Sequence, residues 1–521
     1  MLFVIAALLR PLGVAAVLPF MMAGSALWID ASLRSTGGTG SHLWNVVFAA
    51  FGLRWALAIV FYCASLYHWP IARSLQAGNG FWRFCMDAVN YHAWAPPVID
   101  ALVWDLPLPR TDGTIDYYLV VAFTYRLFGS SPLTAIAINI LAWTLASVFI
   151  IRLFNELRGN SMPPVLVTVI SFWPSGLIWP TQLMKDSLVA LLMVLAATAV
   201  VRLIRSYGIG LIASYGAGLC LALIPLLRLR IYDGRILAAG AFVAAIAGAI
   251  LSRLTSANAW LRSGLAVLAG VIALVVLYLG LLDPYQIFAP ADSVRSYLRY
   301  AEALKAEGRT AESLEAYRQA ALALAEREKV PEFAPPRNTG RKPWTLARVR
   351  ARLHAALSDS WAAVSPESLG RIRQSSMATG GNSALANDAE LNSWPDVFRL
   401  LPVSVLDGLF APLPSDAWRP RGITGQFRTF AISESLLMIA LVPAIAIGLL
   451  RLRRTEELFV AALAAGGIIA LSLVITNLGT LFRLRSAFTL ILVAFAAYGF
   501  DVYPRAARLV LSSSRADRVK R

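Results

Sequence analysis

Ser131-Pro-Leu-Thr-Ala-Ile-Ala-Ile-Asn-Ile-Leu-Ala-Trp-Thr-Leu-Ala-Ser-Val-Phe-Ile-Ile-Arg-Leu-Phe154 holds no ionisable residue before Arg152. A helix needs about 20 apolar residues to cross the hydrocarbon of a bilayer, and this stretch supplies them in one run. The run is continuous rather than alternating, so it describes a spanning helix and not a strand of a membrane barrel. Runs of the same kind lie at 11–29, 44–66, 162–181, 186–206, 207–227, 236–252, 263–283, 434–450, 457–476 and 484–503. The whole chain agrees with them. Of its 521 residues 58% are hydrophobic and 15% charged, with a mean hydropathy of +0.63. No soluble domain of this size is so apolar. The expected fold is therefore an all-α polytopic membrane protein with about 11 transmembrane helices. An outer first loop of interfacial helices and a mostly helical outer domain complete it.

The N-terminal run is interrupted by Arg10. A cleaved signal carries its charge before the apolar core and a small-residue cleavage site after it. Residues 11–29 are accordingly expected to be a first membrane helix. The formal charge of +17 does not point to nucleic acid, because the arginines gather at the ends of apolar runs. Arg152, Arg158, Arg202, Arg205, Arg253, Arg262, Arg451, Arg453, Arg454 and the basic tail all fall on one side of the membrane. By the positive-inside bias that side is the cytoplasm. Residues 67–130 and 284–433 then lie outside, and the expected home is the cytoplasmic (inner) membrane of a bacterium. Two outer loops break the bias: Arg228-Leu-Arg230-Ile-Tyr-Asp-Gly-Arg235 and Asn477-Leu-Gly-Thr-Leu-Phe-Arg483-Leu-Arg485. An anionic ligand would require arginine there; snorkelling to lipid phosphates would equally account for it.

Four parts follow. Residues 1–283 form an N-terminal transmembrane module with a catalytic first outer loop at 67–130. Residues 284–433 form an extracytoplasmic loop domain, 434–503 the C-terminal transmembrane helices and 504–521 a basic cytoplasmic tail. Within the loop domain, 293–329 has two helical apolar stripes around Glu307-Gly308-Arg309, like one tetratricopeptide unit or an ordinary αα-hairpin. One such unit cannot bury its own face; it must pack on the rest of the chain or on a protein partner. Tyr117 to Phe128 is apolar but too short to span, which suits a helix at the interface.

Chemistry concentrates in Phe81-Trp-Arg-Phe-Cys-Met-Asp87-Ala-Val-Asn-Tyr91-His92-Ala-Trp-Ala95. Asp87 stands near the membrane surface with Tyr91 and His92 about one helical turn on. A carboxylate in an aromatic, partly dry pocket is raised in pKa and can act as a base; an Asp that merely caps a helix would occupy the same place. A second island, Phe172-Trp-Pro-Ser-Gly-Leu-Ile-Trp-Pro-Thr-Gln-Leu-Met-Lys185-Asp186, opens a spanning run. Asp186 suits a helix N-terminus, while Lys185 could meet a phosphate. Cys63, Cys85 and Cys220 are too few and scattered for a disulfide framework or metal site. There is no HExxH, Walker A or GxSxG pattern. The sequence marks no cofactor, and a divalent cation stays open.

These residues resemble a family. The Asp-Ala-x-x-Tyr-His-x-x-Ala pattern from Asp87, Tyr118-Leu-Val-Val-Ala-Phe-Thr-Tyr-Arg-Leu-Phe-Gly129 before the helix with Asn139, and Trp173-Pro174 through Lys185-Asp186 are similar to GT-C class membrane glycosyltransferases. The likeness is to the protein-mannosyltransferase and lipid A aminoarabinose transferase branch, over roughly residues 44–230; Asn477 to Arg485 looks like a C-terminal feature of bacterial members. The resemblance implies sugar transfer from a polyprenyl-phosphate donor to a glycan, lipid or protein acceptor outside the cytoplasmic membrane. Asp87 would be the catalytic base. Tyr91, His92, Lys185, Arg228, Arg230, Arg483 and Arg485 would bind substrate. Ala88 stands where many relatives carry a second acidic residue. An O-antigen-type polymerase or ligase, and a transporter or assembly scaffold, are the competing readings. A transporter should carry ionisable residues near mid-span; most spans here have none, Arg54 being an exception, and inverted repeats are not apparent.

Overall fold

The computed structural model describes residues 41–111, 115–205, 209–230, 237, 292–328, 365–380, 390–413 and 425–501. The expected spans at 11–29 and 263–283, that at 236–252 apart from Leu237, and the basic tail lie outside them. The other eight runs all become helices. Helix α1 is Ser41–Leu66. It leads into a 3-10 turn at Arg73–Leu75 and a short antiparallel hairpin of β1 (Gln76–Gly78) and β2 (Phe81–Trp82). After a second 3-10 turn, Arg83–Cys85, come α2 (Asp87–Trp104), α3 (Ile115–Phe128) and α4 (Pro132–Arg158). Next are α5 (Pro164–Ser171), α6 (Pro174–Ile178), α7 (Asp186–Arg205) and α8 (Ile209–Leu229). The outer-loop helices are α9 (Ser293–Ala306), α10 (Thr310–Glu328), α11 (Pro366–Gly380) and α12 (Trp394–Phe410). The C-terminal part holds α13 (Gly425–Leu450), α14 (Thr455–Val474), α15 (Leu478–Leu484), α16 (Ser486–Ala494) and α17 (Ala496–Phe500).

Among the described residues six helices are long and apolar enough to cross a membrane, or eight if two bent pairs each count as one span. The chain is a multi-pass helical membrane protein. The bent pairs are α5 with α6, at 52°, and α15 with α16–α17, at 50°. Sequence hydropathy treats 162–181 as a single run because it averages over the first break, whereas the expected span 484–503 begins at the second break and leaves out all but the end of α15. The first break has a visible cause. Pro174 lacks an N–H and disfavours a helical Trp173, whose ψ is 129°.

A broken helix inside a bilayer frees backbone groups that no lipid can satisfy. Arg54, wholly buried in mid-span, answers for the first break. Its guanidinium donates to Ser171 O at 2.5 Å and Gly176 O at 2.7 Å, and to Thr144 Oγ1 at 3.3 Å. This mid-span charge is thus employed in holding carbonyls.

The hairpin departs from the all-α expectation. Its signal is local: Asn79-Gly80 is the favoured pair for a two-residue turn with positive φ at both positions, and these are 53° and 85°. At Gly80 a Cβ would also fall 2.2 Å from the Tyr62 ring. Side chains pin the hairpin to the end of α1. Ser65 Oγ donates to Phe81 O, Trp82 Nε1 to Phe61 O at 3.0 Å, and Gln76 Nε2 to Trp69 O at 2.8 Å.

By its contacts the chain divides into two units. In the smaller one, containing Val89–Ala135 and the described part of Val275–Ser358, Tyr91 packs edge-on against Tyr117 and Tyr118. Helices α9 and α10 form a hairpin around Ala301, Leu304 and Ala316, turned at Gly308 with φ 77°. The hairpin does not stand alone. Tyr300 stacks near Trp104 and donates to Asp100 Oδ2 at 2.7 Å; burial and the Asp100 carboxylate raise its pKa.

In the larger unit, α13 and α17 approach through small residues, as membrane helices do. A Cβ on Gly448 would lie 2.2 Å from Phe495 O, and one on Gly499 2.1 Å from Ala444 O. Gly448→Val is expected to destabilise by about 1–3 kcal/mol through overpacking. Gly466→Val meets open space and should not. Melting of the two variants in detergent checks this; equal melting temperatures would rule out the close approach.

Four of the arginines assigned to one membrane side pair with groups from neighbouring helix ends. Arg202 pairs with Glu156 at 3.3 Å, Arg205 with Glu456 at 2.9 Å and Arg158 with Asp501 at 2.6 Å, while Arg454 donates to Leu157 O at 3.1 Å. Asp186 opens α7 and Arg205 closes it. Twenty residues of helix put about 30 Å between those ends.

Candidate functional site

The site forms at the Asp186 end of α7, where four separate segments of the larger unit meet. Asp186 opens the helix, with Lys185 before it. Arg230 follows the end of α8. Arg483 comes from α15. Asp87 begins α2, placed there by the pinned hairpin and the 3-10 turn. Arg230 donates to Asp186 in a buried ion pair, with side chains 4% and 2% exposed. Arg483 Nη1 donates to Asp87 Oδ2 at 3.0 Å, and its Nε lies 3.7 Å from Asp186 Oδ1. Lys185 is half-buried. Its pKa falls below the usual lysine value, chiefly through burial and then through Arg230, with Arg483 adding to the effect and Asp186 and Asp87 opposing it.

Three cations thus face two carboxylates. The excess is positive, and the fork of Arg483 retains a buried Nε–H without a hydrogen bond among the described residues. Such an arrangement can accept an anion. A guanidinium offers a planar pair of donors to phosphate. Asp87 differs from expectation in its setting. Its side chain is 50% exposed, so it stands at the mouth of the cluster rather than in a dry aromatic pocket.

Beside the cluster lies an apolar groove of about 260 Å3, lined by Phe61, Trp69, Ile71, Trp82, Phe84 and Phe430 among others. Aromatic contacts join the two. Phe84 packs on Trp179 at 6.3 Å between centroids, and Trp179 on Phe482, the neighbour of Arg483, at 6.1 Å. Cys85 is fully buried under the cluster. Burial drives its thiol pKa well up, against a smaller opposing effect of Arg483, which makes it an unreactive thiol.

The other expected site residues make contacts of their own. Tyr91 and His92 belong to the smaller unit. His92 Nδ1 is 2.8 Å from Tyr125 Oη, and burial lowers its pKa. Arg228 is half-buried in the last turn of α8; Arg235 is outside the described residues. Arg485 turns away from Arg483. It is 1% exposed, lies 3.9 Å from Glu434, and donates to Gly408 O at 2.8 Å and Asp407 O at 3.2 Å. The divergence has a helical cause. An extended segment over both arginines would let them point one way, and the sequence suggests a non-helical backbone through Thr480; instead Asn477 caps a helix there, accepting from Gly479 N and Thr480 N at 3.0 and 3.3 Å. Residues two positions apart on a helix are rotated by about 200°.

Glu434 was not among the expected site residues. Its Oε2 accepts from Ser175 N at 2.9 Å, so the Glu434–Arg485 pair ties the first helix break to the second. Among the described residues no group of three or more His, Cys, Asp or Glu side chains could hold a metal ion.

No family model matches the chain, and no curated protein matches it. Among solved structures the chain is similar to the crystal structure of ArnT from Cupriavidus metallidurans bound to undecaprenyl phosphate. The match has 13% identity over 90% of this chain and 81% of that one, with a TM-score of 0.31. At that level of similarity the reading of this site rests on its own residues.

Proposed function

We propose that this chain is a membrane glycosyltransferase that takes a sugar from a polyprenyl-phosphate donor and transfers it to an acceptor by inverting displacement. One observation carries the reading: a net-positive cluster of Lys185, Arg230 and Arg483 beside a half-exposed carboxylate and an apolar groove. A lipid phosphate needs such cations at membrane depth, and its chain needs an apolar surface. In the reaction the bond between the anomeric carbon and the phosphate oxygen breaks, and the acceptor oxygen bonds to that carbon from the opposite face. Charge grows on the phosphate as the sugar leaves. Fixed guanidinium donors stabilise that charge more than they stabilise the bound donor. Asp87 takes the acceptor proton.

Reconstituted protein given a radiolabelled polyprenyl-phosphate sugar tests the proposal. Arg483→Lys keeps the charge and loses the fork. It should weaken donor use by about tenfold to a hundredfold, the worth of a charge-assisted hydrogen bond of about 1.5–3 kcal/mol. Arg508→Lys in the tail should change nothing. Equal, small effects at both positions would reduce Arg483 to a topological charge and remove the phosphate site.

A further inference from the structure

A helix on the water side of a membrane protein is polar on its outward face. Helix α12 is not. Val397, Leu400, Ser404 and Gly408 are buried. Its outward stripe is Trp394, Phe398, Val403 and Leu406, exposed by 48%, 64%, 47% and 58%. Polarity changes along the helix instead of around it. Asp396 and Arg399 lie in the first turns, whereas from Leu400 to Phe410 the only polar side chains are Ser404 and Asp407.

The packing fixes its depth. A Cβ on Gly408 would stand 2.7 Å from Ser472 Cβ and 3.1 Å from Ile468 Cγ2, so the end of α12 touches the backbone level of a candidate span, Thr455–Val474. Ile468 lies six residues before the end of that span, about 9 Å along the helix. The start of α12 packs higher, with Val397 and Leu400 against Leu473 and Val474. Its last carbonyls complete the argument. Helix ends in water are satisfied by water, but Asp407 O and Gly408 O receive the buried Arg485. Helix α12 also packs on α13, a candidate span with apolar side chains of its own turned outward, Leu436 and Ile439 being exposed by 52% and 44%.

We infer that α12, placed by sequence in the outer loop, descends into the outer leaflet as a half-span, and that lipid acyl chains cover Phe398, Val403 and Leu406. Apolar patches of this kind otherwise mark protein or ligand contacts; the descent beside α14 favours lipid.

The test uses full-length protein in phosphatidylcholine vesicles, with Cys63 and Cys220 replaced by Ser and the buried Cys85 kept. Nitroxides are attached to Phe398→Cys, Val403→Cys, Leu406→Cys and, as a control, Arg318→Cys on the outer hairpin, whose side chain is 74% exposed. Collisions with oxygen and with a water-soluble nickel chelate are measured at each. Oxygen-to-nickel ratios should rise from 398 to 406 and exceed the control several-fold. Nickel access at 403 and 406 equal to the control would put α12 in water and overturn the inference. Poor access to both reagents would mean a protein partner covers the stripe, which overturns it equally. Retained folding of each variant is verified by its size-exclusion profile, and a variant that aggregates is replaced by Leu413→Cys, whose side chain is 42% exposed, read by the same criterion.

Discussion

Asp87→Asn should leave a folded, inserted protein and lower sugar transfer by about 10²- to 10⁴-fold, the usual contribution of a positioned general base. The asparagine keeps the size of the side chain and one carbonyl oxygen, so Arg483 retains an acceptor where it now donates at 3.0 Å. The carboxylate is half exposed, and an ion pair so open to solvent contributes little to stability. Loss of function without loss of fold is therefore the signature of a proton acceptor. Transfer assays with the lipid-linked donor, alongside melting curves, provide the check. Retention of most of the activity would leave Asp87 as a counter-ion to Arg483 at the start of α2, and the base would have to be sought elsewhere.

Arg54→Met should have the largest effect on the fold. The side chain is similar in length and apolar, so packing survives. What disappears is the charged donor shared by Ser171 O, Gly176 O and Thr144 Oγ1. Hydrogen bonds to a charged group contribute about 1.5–3 kcal/mol each, and stranding two carbonyls inside a bilayer costs several kcal/mol. Against a total stability of about 5–15 kcal/mol, a protein that inserts but fails to melt cooperatively is expected. Arg54→Lys should be intermediate, because one ammonium cannot imitate the guanidinium fork. An unchanged melting temperature for Arg54→Met would show that water reaches those carbonyls.

What could be read in the sequence was local. The eight apolar runs on described residues became helices because hydropathy over about 20 residues is a property of the segment itself. Asn79-Gly80 announces its turn, and Asn477 announces the cap of the helix on which Arg483 and Arg485 diverge. The pairings that build the site were not legible. Arg230 meets Asp186 across 44 residues and Arg483 meets Asp87 across 396, and no period or motif encodes such partners. The same holds for Arg485. Its charge on the outer side of a span suggested a ligand, but what required it was the end of α12 and the carboxylate of Glu434. Arg54 and Arg485 together indicate that an ionisable residue in an apolar segment can mark a broken helix as well as a substrate path.

The Glu434–Arg485 tie also has a consequence for biogenesis. The first break is complete only when Ser175 N–H finds Glu434, a residue 259 positions later, and Glu434 gains its counter-charge only from Arg485, later still. A ribosome delivers the chain from the N-terminus, and contacts so distant in sequence close slowly. For much of its synthesis the N-terminal helical array therefore sits in the bilayer with an unfinished break. The last spans to emerge act as its keystone, so a chain arrested before Arg485 should be a substrate for membrane quality control even though most of its helices have already been inserted.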